Sequence, residues 1–219
     1  MITKTPHYNV DKMYTYLRGF LVGAGLTQSL TALAYAREKH KDQKRKNGIP
    51  YIVHPLSMAC YAIALGLKDD NVISSILLHD VAEDCGVAVE NLPVNDVVKF
   101  AVKRLTITPI GNESSLETKR RYFAELLDSK ESIITKALDR YNNLTDMPFA
   151  LKKENVAKNA AETDMLLLPV LKQAKEKWSD LSDFLFVIRD NLRAVNDIAK
   201  LCCEEEYEKW IKEYEEIKL

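Results

Sequence analysis

Long apolar runs are missing from this chain of 219 residues. No stretch approaches the ~20 apolar residues needed to span a bilayer, so a membrane protein is not expected. The first residues, MITKTPHYNVDKMY, contain no apolar segment of the kind that makes a secretory signal. A charge imbalance is missing too: the formal net charge is −1, and nothing in it favours DNA as a partner. Cysteine is scarce, and Cys60, Cys85, Cys202 and Cys203 show no C-x-x-C spacing. Free thiols in a reducing, cytoplasmic setting are therefore expected. Only seven glycines and seven prolines punctuate the chain, so helices have few places where they must stop.

What remains is an ordinary globular composition, 47% apolar and 29% charged, long enough for one sizeable core. Apolar residues recur with helical rather than alternating periodicity. DKMYTYLRGFLVGAG and TQSLTALAYAREKHK read as the first two helices, the second with Thr27 as N-cap. Pro55 opens PLSMACYAIAL, which Gly66 can close. Asp69 or Asp70 caps a helix expected to run on to Cys85-Gly86. VNDVVKFAVKRLT follows, and Ser114 with Glu117 forms a capping box for LETKRRYFAELLD. SKESIITKALDRYNNL, KENVAKNAAETDMLLLPVLKQAKEKW, SDLSDFLFVIRDNLRAVNDIAKLC and EEEYEKWIKEYEEIKL complete the chain. No internal repeat or core strand is evident, and the expected fold is an all-α bundle of about eight to ten helices.

One stretch does not fit a plain core helix. In SSILLHDVAED, residues 74–84, Ile76, Leu77, Leu78 and Val81 face inward, yet His79, Asp80, Glu83 and Asp84 crowd the end. On a continuous helix His79 lies above Glu83 and Asp80 above Asp84. Burying one unpaired carboxylate costs several kcal/mol, so the cluster calls for water or a cation. His79 and Asp80 offer a nitrogen and a carboxylate to one divalent metal, and further ligands must come from elsewhere. His54 before Pro55, Asp139 on the apolar face of its helix, His40 and His7 are the candidates.

Four blocks in order, HKDQKRKNGIPYIVHP (40–55), ILLHDVAED (76–84), VKRLT (102–106) and ALDRYNNL (137–144), resemble one family. It is the HD-superfamily metal-dependent phosphohydrolases, within them the hydrolase domain of the Rel/Spo alarmone enzymes of the stringent response. AAETDMLLLPVLKQ weakly echoes a fifth block. The resemblance implies an HD-domain helical bundle, with residues 1–180 as the hydrolase domain and 181–219 as a helical extension packed on it. By position the family's metal ligands fall on His54, His79, Asp80 and Asp139, and the implied ion is one Mn²⁺ per chain. The Glu83-Asp84 pair matches the family's catalytic carboxylates, placed to orient or deprotonate a water. A metal at such a site lowers the pKa of water and screens phosphoryl charge.

The basic loop KDQKRKNG suits a nucleotide with several phosphates, through Lys44 and its neighbours, and an arginine can also stack on a purine. In the family the residues matching Arg45 and Lys46 flank the base, and those matching Tyr51 and Asn143 contact the nucleotide. Three positions depart from the pattern. Asn47 stands for a common serine, Asn142 for a second histidine, and Leu144-Thr145-Asp146 for Met-Arg-Thr. Asp146 takes the place of a threonine close to the nucleotide, which bears on sugar or phosphate recognition.

About forty residues remain beyond the resemblance, too few for the synthetase domain of bifunctional relatives. The implied protein is a stand-alone small alarmone hydrolase. It removes the 3′-diphosphate from guanosine or adenosine alarmones and has no DNA or membrane partner. An animal relative of this size is associated with NADPH dephosphorylation, which makes a 2′-phosphate substrate a variant. The rivals are another nucleotide phosphohydrolase, acting on 5′-nucleotides or dNTPs, and a silent binding or antitoxin-like bundle. Oligomeric state is not fixed by the sequence, and a homo-oligomer stays open.

Overall fold

The computed structural model describes residues 9–46 and 48–216, so His7 and Asn47 lie outside the described residues. It is all helical: among the described residues there is no strand, only an isolated antiparallel bridge between Lys44 and Pro50. No helix there is long and apolar enough to cross a membrane. The chain forms two compact units, divided between Lys103 and Arg104.

The first unit is built from α1 (Val10–Ala24), α2 (Thr27–Lys39), α3 (Val53–Ala64), α4 (Asp70–Leu78) and α5 (Val81–Asp84). Helix α4 is its centre. Every residue from Val72 to Leu78 is buried, as expected of a helix without a polar face. It packs on α2 and α3, which supply Ala32, Leu33 and Ala36, and Leu56, Ala59 and Ile63. Ser29 and Ser74 are small enough for α2 and α4 to approach, with their hydroxyls 3.2 Å apart.

Caps fix how these helices start. Asp69 is the N-cap of α4, accepting from the Asn71 and Val72 amides. Asp70 serves a neighbour instead. Its carboxylate accepts from the backbone amides of Gln28 (3.1 Å) and Ser29 (2.8 Å), at the start of α2. This corrects the expectation for Thr27, which is already helical behind Leu26, a residue with no capping side chain. A cap of this kind is worth ~1 kcal/mol, and here it also ties α2 to α4. Helix α6 (Asp96–Leu105) carries the division between the units.

The second unit contains α7 (Ser115–Glu125), α8 (Lys130–Ala150), α9 (Lys153–Glu162), α10 (Leu168–Lys177), α11 (Ser182–Leu201) and α12 (Glu204–Glu216). The Ser114–Glu117 capping box is present. Helix α8 runs past the expected end at Leu144 and contains Pro148. A proline so near the terminus forfeits only the bond toward Leu144, and the helix ends within three residues. Helix α11 packs on α8, α9 and α10, and α12 packs on α9. A small apolar cluster of Leu116, Ala161 and Tyr214, flanked by Trp210 and Ile211, seats α12.

Two helices expected to be continuous are interrupted, giving twelve α-helices among the described residues. One break falls at His79-Asp80, between α4 and α5. The other is a π-helical turn, Thr163–Leu167, between α9 and α10.

Candidate metal centre

The basic loop is a closed turn. The Tyr51 amide donates to the Gln43 carbonyl (2.9 Å), Arg45 to Ile49 (2.8 Å) and Gly48 to Arg45 (2.8 Å). Gly48 has φ +84°, a left-handed conformation that a Cβ would strain. The fold of this turn sorts its cations. Lys44 and Lys46 are exposed, while Arg45 is half-buried with Nη1 3.2 Å from Nδ1 of His54. Tyr51 faces the same way.

His54, in the first turn of α3, and His79-Asp80, at the break after α4, converge. One donor atom from each lies within 4.8 Å of the others. Nε2 of His54 and Nε2 of His79 are 3.3 Å apart, and Oδ2 of Asp80 is 2.8 Å from the latter and 3.8 Å from the former. Both imidazoles are buried.

Hydrogen bonds decide the tautomers. Nδ1 of His79 lies 2.9 Å from the Ile76 carbonyl, which only accepts, so Nδ1 carries the proton and Nε2 turns a lone pair into the group. Nδ1 of His54 faces an arginine, which only donates, so here the proton sits on Nε2. Presenting a lone pair from His54 Nε2 to a cation needs that proton on Nδ1, which excludes the bond from Arg45. Two imidazoles and a carboxylate suit a divalent first-row cation. The donor set therefore fits a metal, and filling it is coupled to the position of Arg45.

Behind the donors, Tyr51 and His40, expected as a nucleotide contact and a candidate ligand, form a support together with Gln43, and His40 is not in the three-donor group. The Tyr51 hydroxyl donates to Oδ2 of Asp80. Burial, then the Asp80 carboxylate, raises its pKa far above the usual phenol value, so it remains a donor. His40 stacks on Tyr51 with ring centroids 4.8 Å apart, and its Nδ1 donates to Gln43 Oε1 at 2.6 Å. Burial lowers the His40 pKa and keeps the ring neutral. Gln43 also donates to the Asp84 carbonyl (2.9 Å), tying the loop to the end of α5. The signal available in the sequence was the three-residue spacing of His40 and Gln43 next to the basic run.

The other expected site residues are placed as follows. Glu83 and Asp84 are exposed on α5, one turn beyond Asp80 and outside the three-donor group. Asp139, Asn143 and Asp146 belong to the second unit, where their spacing puts them on one face of α8. Asp139 is buried, accepting from Lys136 Nζ at 2.9 Å and from Asn143 Nδ2 at 2.5 Å. Burial opposes charge on Lys136, but the Asp139 carboxylate outweighs it and raises the ammonium pKa. Arg140 is likewise buried and paired, with Glu162 at 3.1 Å.

A family model described as HD domain matches residues 32–164. A GTP pyrophosphokinase of Streptomyces coelicolor is 33% identical over 171 residues, covering 74% of this chain and 20% of its own. A guanosine-3′,5′-bis(diphosphate) 3′-pyrophosphohydrolase of Aquifex aeolicus is 31% identical over 162 residues, 71% of this chain and 23% of its own. The chain thus spans about a fifth of the length of the curated relatives it matches. A metazoan ortholog of SpoT, reported to hydrolyse ppGpp, has a solved structure 22% identical to this chain. It covers 83% of this chain and 94% of its own, with a TM-score of 0.46.

Proposed function

The chain belongs to the HD domain family, and from that premise we propose that it is a metal-dependent pyrophosphohydrolase acting on purine alarmones. The reaction is removal of the 3′-diphosphate: water supplies hydroxide to phosphorus, the O3′–P bond breaks, and the 3′ oxygen takes a proton. The observation that carries this reading is the convergence of His54, His79 and Asp80 beside Arg45. Relatives named as kinase and as hydrolase both match, and this donor group favours hydrolysis over synthesis.

His54, His79 and Asp80 would hold one Mn²⁺ per chain, with Asp139 as the further ligand that the resemblance supplies. The ion's contribution is to neutralise phosphoryl charge and lower the pKa of water. The chain's own groups do the rest. Glu83 takes a proton from the attacking water, and Asp84 holds that water's second hydrogen. Arg45 leaves His54 to engage the nucleotide, while Lys44 and Lys46 meet its phosphates. Tyr51 keeps the Asp80 carboxylate in place, and Asn143 contacts the nucleotide. Asp146, half-buried on α8 where the family has threonine, bears on sugar or phosphate recognition, and the second reading at the level of substrate, carried over from the resemblance, is a 2′-phosphate such as that of NADPH.

Purified chain with Mn²⁺ is incubated with ppGpp, ppApp and NADPH, and the products are separated by ion exchange. Release of pyrophosphate from ppGpp or ppApp is expected. Phosphate release from NADPH alone would replace the first reading by the second, and no hydrolysis of any would remove both.

A further inference from the structure

The π turn and helices α10 and α11 enclose a cleft of about 570 Å³ in the second unit. None of its lining residues is assigned a role above. Its charges do not cancel locally. Both carboxylates, Asp164 and Asp197, are committed to Lys200, at 3.1 and 2.6 Å. Asp164 also accepts from Tyr207 (2.7 Å) and Asn196 (3.0 Å). Lys172, Arg189 and Arg193 line the cleft and have no ion pair among the described residues.

The two arginines stand four apart on α11, a spacing that sets like charges against each other. Nε of Arg189 is buried with no hydrogen-bond partner, an arrangement that costs free energy until an acceptor arrives. Burial, then Arg193, lowers the Arg189 pKa. Leu168 and Pro169, on the same helix as Lys172, add apolar lining. The volume falls in the range of small-ligand pockets.

We infer that this cleft is a binding site for a phosphate-bearing small molecule, with Arg189, Arg193 and Lys172 on the phosphates and Leu168-Pro169 against its apolar part. Guanidinium forks bind phosphate oxygens in pairs, and two on one face suit a di- or triphosphate. The cleft shares no residue with the proposed metal centre.

The test is calorimetric titration of the full chain with ATP and with inorganic pyrophosphate, in EDTA. Binding to one site per chain is expected, weakened at least about tenfold in R189Q/R193Q and weakened less in R189K/R193K, which keeps the charge and loses the fork. It should be unchanged in Arg45→Ala, which separates it from the metal centre. If R189Q/R193Q does not fold, Lys172→Gln carries the test and should also weaken binding. Absence of binding overturns the inference. So does binding that survives removal of these charges, that is lost in Arg45→Ala, or that favours a polyglutamate peptide over ATP.

Discussion

The two helix interruptions have opposite origins. Between α9 and α10 the cause lies in the chain itself. Pro169 cannot donate to the Met165 carbonyl, and its ring would collide with it, a fault worth ~3 kcal/mol in a regular helix. One wider turn, in which the Leu168 amide reaches back five residues to the Thr163 carbonyl, absorbs the fault. Between α4 and α5 no residue forbids a helix. There His79 Nδ1 donates to the Ile76 carbonyl, the acceptor that the regular ladder assigns to the Asp80 amide. Asp80 settles at φ −100°, ψ −6°, with its carboxylate drawn to Tyr51. The fault at Pro169 is built into its own covalent structure, whereas the His-Asp break is held by the Tyr51 hydroxyl, which comes from outside the helix.

The largest effect expected is at the second kind of break. His79→Ala or Asp80→Ala should lose metal and activity together, measured by elemental analysis and turnover, beyond the loss caused by removing a general base. A variant that keeps its ion in full would show that the break is only structural. Next is Glu83→Gln, which keeps shape and removes the base. It should retain metal and lose at least about a hundredfold in kcat. Loss of the ion instead would make Glu83 a ligand.

Tyr51→Phe tests whether the break is held from outside. Without the phenol hydroxyl, metal affinity measured by chelator competition should fall about 10–100-fold. If only the nucleotide KM rises, Tyr51 contacts substrate and does not position Asp80.

A smaller effect concerns pH. Burial lowers the His40 pKa from 6.5, against Gln43, Asp80 and Asp84, which raise it, and with His79, which lowers it. The unfolded chain then binds more protons below that value, so stability is full above pH 6.5 and declines as pH falls toward the folded value. Melting temperatures across pH 5–8 should show this decline, and His40→Phe should flatten it. An unchanged slope in that variant would remove His40 as its source.

The smallest effect belongs to the proline. Pro169→Ala should alter stability by no more than about 1 kcal/mol, because the π turn already accommodates the missing donor. Metal content should not change. A large loss of melting temperature would mean that the proline is needed for packing.

Much of this was legible in the chain. The buried run of α4, the Ser114–Glu117 box and the left-handed Gly66 after α3 follow from local chemistry, and the structure contains each. Local sequence also pointed to His54, His79 and Asp80 as candidates, because a carboxylate beside histidines at a core helix needs a partner. What local reasoning lacked was every relation set by a distant residue. Asp70 caps α2 rather than its own helix, 41 to 42 positions away. His40 and Gln43 support Tyr51 only because the loop folds back through Arg45 and Gly48.

By itself the sequence determined the helical class, the position of most helices and the residue types able to hold a cation. Those depend on periodicity, caps and side-chain chemistry, which act over a few residues. Only the tertiary structure decided that α4 stops at His79, which nitrogen of each imidazole carries its proton, and that the Asp80 carboxylate is held by a tyrosine. Hydrogen-bond partners are chosen in three dimensions, and a donor near in space but far along the chain leaves no local pattern to read.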